Sequence, residues 1–139
     1  MYPKKKWLKP KEKASNAPEA ALQKQLDDYL AIKGVRYIRI SDSMFKWLRY
    51  ATLKLQAHGV WAWIAKTFGG LPDNLLLVKI SDKYLLATGI ELKTKKGALH
   101  GKQKHMAEEL SYQISKSPEK SMEIVEAFLK EAERLKTLI

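Results

Sequence analysis

Leu22, Leu26, Tyr29 and Leu30 recur at helical spacing, so the segment from Asn16 to Lys33 reads as a helix with one apolar face. Its start is marked by Ser15 or Asn16 as a cap, Pro18 in the first turn and Glu19 at the positive helix end; Gly34 closes it. Val35 to Ile40 then mixes apolar and basic residues in near-alternation, the pattern of a strand with one buried face. Met44, Trp47, Leu48, Ala51 and Leu55 return to helical spacing, Gly59 interrupts them, and Val60 to Phe68 forms a second short aromatic segment. The spacing predicts a helical insertion over residues 43–68, built as a helical hairpin, after the first strand. Its aromatic residues are read as packing residues rather than as a platform for bases.

Gly69-Gly70-Leu71-Pro72 is a turn, Asn74 to Ile80 a strand, Ser81-Asp82-Lys83 a hairpin turn, and Tyr84 to Thr94 a second, longer strand. Gly89 inside that strand marks a bulge or a place where another group comes close. A turn at Lys95-Lys96-Gly97 leads to a helix from Gln103 to Leu110 and a short strand from Tyr112 to Ser115. Ser117 caps a final helix, with Pro118 and Glu119 in its first turn, that runs to about Leu138. This order predicts an α/β fold in which helices flank a central mixed sheet. One domain over residues 16–139 is expected, behind a flexible basic arm at residues 1–15.

Charge changes the picture next. Twenty-six Lys and Arg stand against 15 Asp and Glu, a net charge of +11, which points to a polyanionic partner. The excess is uneven. Residues 1–13 hold six Lys and one Glu, whereas residues 119–139 hold four basic and five acidic side chains. Lys4, Lys5 and Lys6 in the arm read either as a solubilising terminus or as a phosphate-binding tail. The chain has no Cys, which excludes disulfides, thiolate metal sites and a cysteine nucleophile, and fits a reducing interior. No signal peptide is visible, and no apolar run approaches the ~20 residues of a spanning helix. The expectation is a soluble cytoplasmic protein with no membrane partner.

Candidate chemistry sits where charged residues interrupt apolar strands. Asp73 opens one strand; Glu91 and Lys93 close the next, in Ile90-Glu91-Leu92-Lys93. Side chains two apart on a strand share a face, so Glu91 and Lys93 project together while Ile90 and Leu92 face the other way. Counting out from a turn at Asp82 makes Asp73 and Glu91 cross-strand neighbours. Facing carboxylates repel unless a proton or a cation lies between them, and a hard divalent ion such as Mg²⁺ or Mn²⁺ suits clustered oxygens. The main-chain carbonyl of Leu92 is a further donor. An isolated E-x-K would read as an ordinary surface ion pair; the Pro72-Asp73 pair at a hairpin-related distance tips the balance.

Gly70-Leu71-Pro72-Asp73, Ile90-Glu91-Leu92-Lys93, Gly97 and Gln103, in that order, resemble the VRR-NUC branch of the PD-(D/E)xK nucleases. The resemblance covers about residues 18–129 and extends to Pro18-Glu19-Ala20-Ala21-Leu22-Gln23 and to Ser115-Lys116-Ser117-Pro118-Glu119. It implies a restriction-endonuclease-like core, Asp73 and Glu91 as metal ligands, Lys93 as the catalytic lysine and Gln103 as an active-site residue. Glu19 is implied as an acidic partner, against the alternative of a first-turn acid that favours the helix dipole. Two features depart from the pattern: the insertion at 43–68 is large, and Asn74, where an apolar residue is commoner, reads as a local hydrogen-bonder.

The activity implied is hydrolysis of DNA phosphodiester bonds by a Mg²⁺- or Mn²⁺-dependent endonuclease. The expected substrate is branched DNA such as a Holliday junction, in repair or recombination. The expected form is a homodimer, nucleoid-associated and of phage or mobile-element origin. Lys95, Lys96, Lys102 and Lys104, after the E-x-K, are expected to meet the phosphate backbone. The competing expectation is a non-catalytic basic nucleic-acid-binding module that keeps the nuclease fold.

Overall fold

The computed structural model describes residues 17–94, 99 and 101–139, with Ala17 and Lys102 described in their backbone alone. The elements follow as α1 (Ala17–Lys33), β1 (Arg36–Arg39), α2 (Asp42–Lys54), α3 (His58–Phe68), β2 (Asn74–Lys79), β3 (Leu85–Leu92), α4 (Lys102–Leu110), β4 (Gln113–Ser115) and α5 (Pro118–Leu138). Every element expected from the apolar pattern is present, with ends displaced by a residue or two. The described residues form an α/β fold with a four-stranded mixed sheet in the order β1-β2-β3-β4, flanked by helices. β1 and β3 each pair antiparallel with β2, and β4 adds parallel to β3.

Local chemistry sets the boundaries. Gly34 takes φ 67°, the left-handed conformation that ends α1 at little cost for a residue without Cβ. Ser41 caps α2 by accepting from the Met44 N–H at 3.1 Å, and Ser117 caps α5 by accepting from the Lys120 N–H at 3.1 Å. Gly89 proves to be a place of close approach and not a bulge, since the β2–β3 register runs through it unbroken. A Cβ there would lie 2.6 Å from both Pro72 Cγ and Tyr112 Cβ.

The core lies on one face of the sheet, between it and α1 and α5. Leu26 and Leu30 of α1, Leu76 of β2, Ile90 and Leu92 of β3, and Ile124, Val125 and Phe128 of α5 form one buried cluster with Val35. A polar row is set into this layer. The Asn74 side chain, 0 % exposed, trades two hydrogen bonds with Gln23, one in each direction at 2.8 and 3.0 Å. Gln23 Nε2 also donates to Asp27 Oδ1 at 2.8 Å, and the Tyr37 hydroxyl donates to the same oxygen at 2.7 Å. Burial and Asp27 together push the Tyr37 phenol up to about 12. Asn74 is thus a hydrogen-bonder, but not a local one: its partner lies 51 residues away, and the network holds the start of β2, next to Asp73, against α1.

The α2–α3 hairpin is built differently. Among the described residues none of α2 is buried, and of α3 only Ile64 is. Phe45 and Trp61 pack edge to face with centroids 6.4 Å apart, as the expectation of packing aromatics requires. Trp47 and Trp63 depart from it: they remain 45 % and 60 % exposed. Trp47 meets Tyr50 and Trp63 meets Phe68 edge to face, each with centroids 6.0 Å apart. No helix of the described residues is long and apolar enough to cross a membrane.

Candidate active site

The β2–β3 register pairs Asn74 with Ile90, so the next step outward sets Asp73 against Glu91. Alternation then places both carboxyls on the sheet face opposite the core. Two backbone contacts hold Asp73: its carbonyl accepts from the Ile40 N–H at 2.7 Å, and its Oδ2 accepts from the Leu92 N–H at 3.0 Å. The second of these spans the β2–β3 pair and aims the carboxyl along the end of β3. Pro72, immediately before it, is packed against Gly89.

Glu91 is 2 % exposed, and its Oε2 is fully buried without a hydrogen-bond partner. Its Oε1 accepts from Gln103 Nε2 at 3.3 Å, and Gln103 Oε1 in turn accepts from the Lys93 ammonium at 3.4 Å. One amide near the start of α4 thereby links the buried carboxyl to the half-buried lysine. Tyr112 supports this corner from below, its hydroxyl lying 2.9 Å from the Gly70 carbonyl and 2.8 Å from that of Gln103. It ties the turn before Asp73 to the helix that carries Gln103.

The electrostatics follow from burial and from like charge. Burial raises the Asp73 carboxyl above its ordinary range, while the Leu92 N–H pulls the other way and the charge of Asp42 adds to the rise. Glu91 is pushed up to about 8, first by burial and then by the Asp73 charge, with the Lys93 ammonium opposing. Both shifts run the same way, so the facing carboxyls favour a proton or a cation between them.

A pocket of about 200 Å³ opens over the pair. Asp73, Glu91 and Gln103 form its floor; Ile40, Asp42, Phe45 and Phe68 and the Gly69–Leu71 turn form its walls. The residues expected from the sequence are therefore partly assembled here. Asp73, Glu91 and Gln103 line the pocket, and Lys93 is joined to it through Gln103. Leu92 sits between the two charged positions of β3, its N–H on Asp73. Glu19 is outside the lining, but its charge contributes to the rise of Asp73. Lys104 is exposed on α4. Lys4, Lys5, Lys6, Lys95 and Lys96, the turn at Gly97 and the side chain of Lys102 lie outside the described residues.

Asp42 is the acid that pattern reading passed over. As the first residue of α2 it resembles any helix-opening acid, and only the tertiary fold brings it to the pocket wall. Its charge raises both Asp73 and Glu91. Tyr112 carried no site signal either, and Gln23 only as the end of the Pro18–Gln23 stretch, since each acts through partners brought to it by the fold.

The donor set suits a hard divalent cation: carboxylate oxygens are its preferred ligands, and Glu91 Oε2 is buried beside the Asp73 carboxyl with no N–H or hydroxyl donor to satisfy it. Among the described residues no group of three or more His, Asp or Glu side chains is arranged to hold a metal ion. A cation here would combine the two carboxylates with main-chain oxygen and water, as small hard ions commonly do. No protein-family model, curated protein or solved structure matches the chain.

Proposed function

We propose that this protein is a metal-dependent DNA endonuclease with a PD-(D/E)xK core that hydrolyses phosphodiester bonds at the pocket over Asp73 and Glu91. The observation that carries the reading is Glu91: a carboxyl 2 % exposed in the pocket floor, facing the Asp73 carboxyl, with its Oε2 buried and given no N–H or hydroxyl donor. A purely structural ion pair would satisfy that oxygen or leave it in water. Burying it unpaired is costly unless a ligand completes it. The +11 net charge supports a polyanionic substrate around this acidic point.

Asp73 and Glu91, with the Leu92 carbonyl, would hold Mg²⁺ or Mn²⁺. Such an ion, when bound, polarises a phosphodiester oxygen and lowers the pKa of a water. The chain's own residues do the rest. The Leu92 N–H holds the Asp73 carboxyl in place at the pocket lining. Gln103 holds Glu91 and the Lys93 ammonium in one chain of hydrogen bonds, which sets the ammonium beside the carboxylate site. There Lys93 stabilises negative charge growing on the phosphoryl oxygens and orients the attacking water. The phenylalanine walls, Phe45 and Phe68, reduce water around the reacting group.

We infer further that the enzyme acts as a homodimer on branched DNA, where two pockets can meet two strands. The test is a cleavage panel of duplex, flap and four-way-junction DNA with Mg²⁺ or Mn²⁺. Wild type is expected to cut at least one of them and Asp73→Ala none. Equal behaviour of the two proteins refutes the assignment; DNA binding without cleavage in either metal favours a non-catalytic module.

A further inference from the structure

We propose that the α2–α3 hairpin is a single-strand docking wall, on which Trp63 stacks an unpaired base of the DNA whose phosphate enters the pocket. The proposal rests on the nuclease reading for the identity of the pocket and adds the feature that selects the substrate. Trp63 is 60 % exposed, on a helix with one buried residue. Its ring meets Phe68 edge to face at 6.0 Å, and Phe68 lines the wall above Asp73 and Glu91. An indole one ring away from the pocket and 60 % exposed is within reach of a base that neighbours a phosphate held there.

Charge decides the occupant. Residues 42–68 hold Lys46, Arg49, Lys54 and Lys66 against the single acid Asp42. Two copies of such a hairpin facing each other would bring like charges together, whereas a nucleic-acid strand brings phosphates to the cations and bases to the indoles. Exposed aromatics among basic residues form the usual platform for single-stranded DNA, because every base has a face to stack. Paired bases inside a duplex offer no such face. The hairpin thereby favours substrates with unpaired nucleotides beside the cut, such as overhangs, flaps and open junctions.

The experiment measures binding of the full chain to two fluorescent DNAs by anisotropy in EDTA: a blunt duplex, and the same duplex with a single-stranded overhang. Wild type is expected to prefer the overhang. Trp63→Ala should lose roughly ten-fold affinity for the overhang and less than about two-fold for the blunt duplex, while Trp63→Phe keeps most of the preference. Circular dichroism and sedimentation of each variant accompany the titration. Equal loss on both DNAs, no loss on either, or loss that accompanies conversion of a dimer to a monomer overturns the proposal. The last of these outcomes would make the hairpin face a contact between copies. Cleavage of the same DNAs in Mn²⁺ separates the two readings. Trp63-dependent binding without cleavage sinks the nuclease and leaves the docking wall standing; cleavage with Trp63→Ala indistinguishable from wild type does the reverse.

Discussion

The layer of α1, α5 and the sheet and the α2–α3 hairpin use similar apolar residues to opposite ends. In the first, Leu26, Leu30, Leu76, Ile90 and Val125 are at most 1 % exposed and meet across helix and sheet. In the second, Met44, Trp47, Val60 and Trp63 are 40 % exposed or more. A sheet face gives a helix stripe something to close against, whereas two helices standing beside a sheet can cover each other on one side only. The pocket over Asp73 and Glu91 lies along the border between the two regions. The rigid layer positions Asp73, Glu91 and Lys93, and the hairpin supplies Asp42, Phe45 and Phe68 as a wall.

The comparison can be broken most directly at the carboxyls. If the rigid layer holds the reacting groups, Asp73→Ala should lower cleavage roughly a thousand-fold, the scale of several kcal/mol of charge stabilisation, in a steady-state assay with Mn²⁺. Stability should respond next. Leu76→Ala, at a fully buried position of β2, is expected to cost about 2–5 kcal/mol by urea unfolding. Asn74→Leu should cost about 1–3 kcal/mol in the same experiment, because it leaves the Gln23 amide buried without its partner. A variant as stable as wild type would show that the polar row plays no part in holding β2 to α1.

Acidity offers a finer probe. Glu91 is raised from 4.5 to about 8 in the folded protein, so folding favours its protonated form. The stability it contributes is complete below about 4.5 and is lost as pH rises through about 8. In EDTA, urea stability should therefore decline across this window, and Glu91→Gln should flatten the decline. Added Mn²⁺ should restore stability most at the alkaline end, where the ion no longer competes with a proton. The smallest effect belongs to the hairpin: Trp63→Ala should change stability by about 1 kcal/mol, the worth of its ring contact with Phe68. A cost as large as that of Leu76→Ala would erase the distinction between the regions.

Much of this was legible beforehand. Helical and strand periods located every element, including β1 and α2, although β1 turns out to lack the buried face its pattern suggested and no residue of either is buried. The hairpin turn at Asp82 carried Asp73 to Glu91 by counting alone, because an antiparallel register is set at its turn and repeats without slippage. Periodicity failed for the exposed indoles: helical spacing of aromatics shows that they share a face, but not that anything covers it.

The amino-acid sequence by itself determined the order of helices and strands, the facing of the two carboxyls and the sign of the surrounding charge. These depend on neighbours along the chain or across one tight turn. Tertiary structure alone decided that Glu91 is buried with an oxygen unpartnered, that Asp42 and Phe68 wall its pocket, that Gln23 locks Asn74, and that Trp63 stands in water one ring away. Each of those facts joins residues from elements whose approach is fixed by packing, and packing depends on the shape of the whole core rather than on any local stretch of residues.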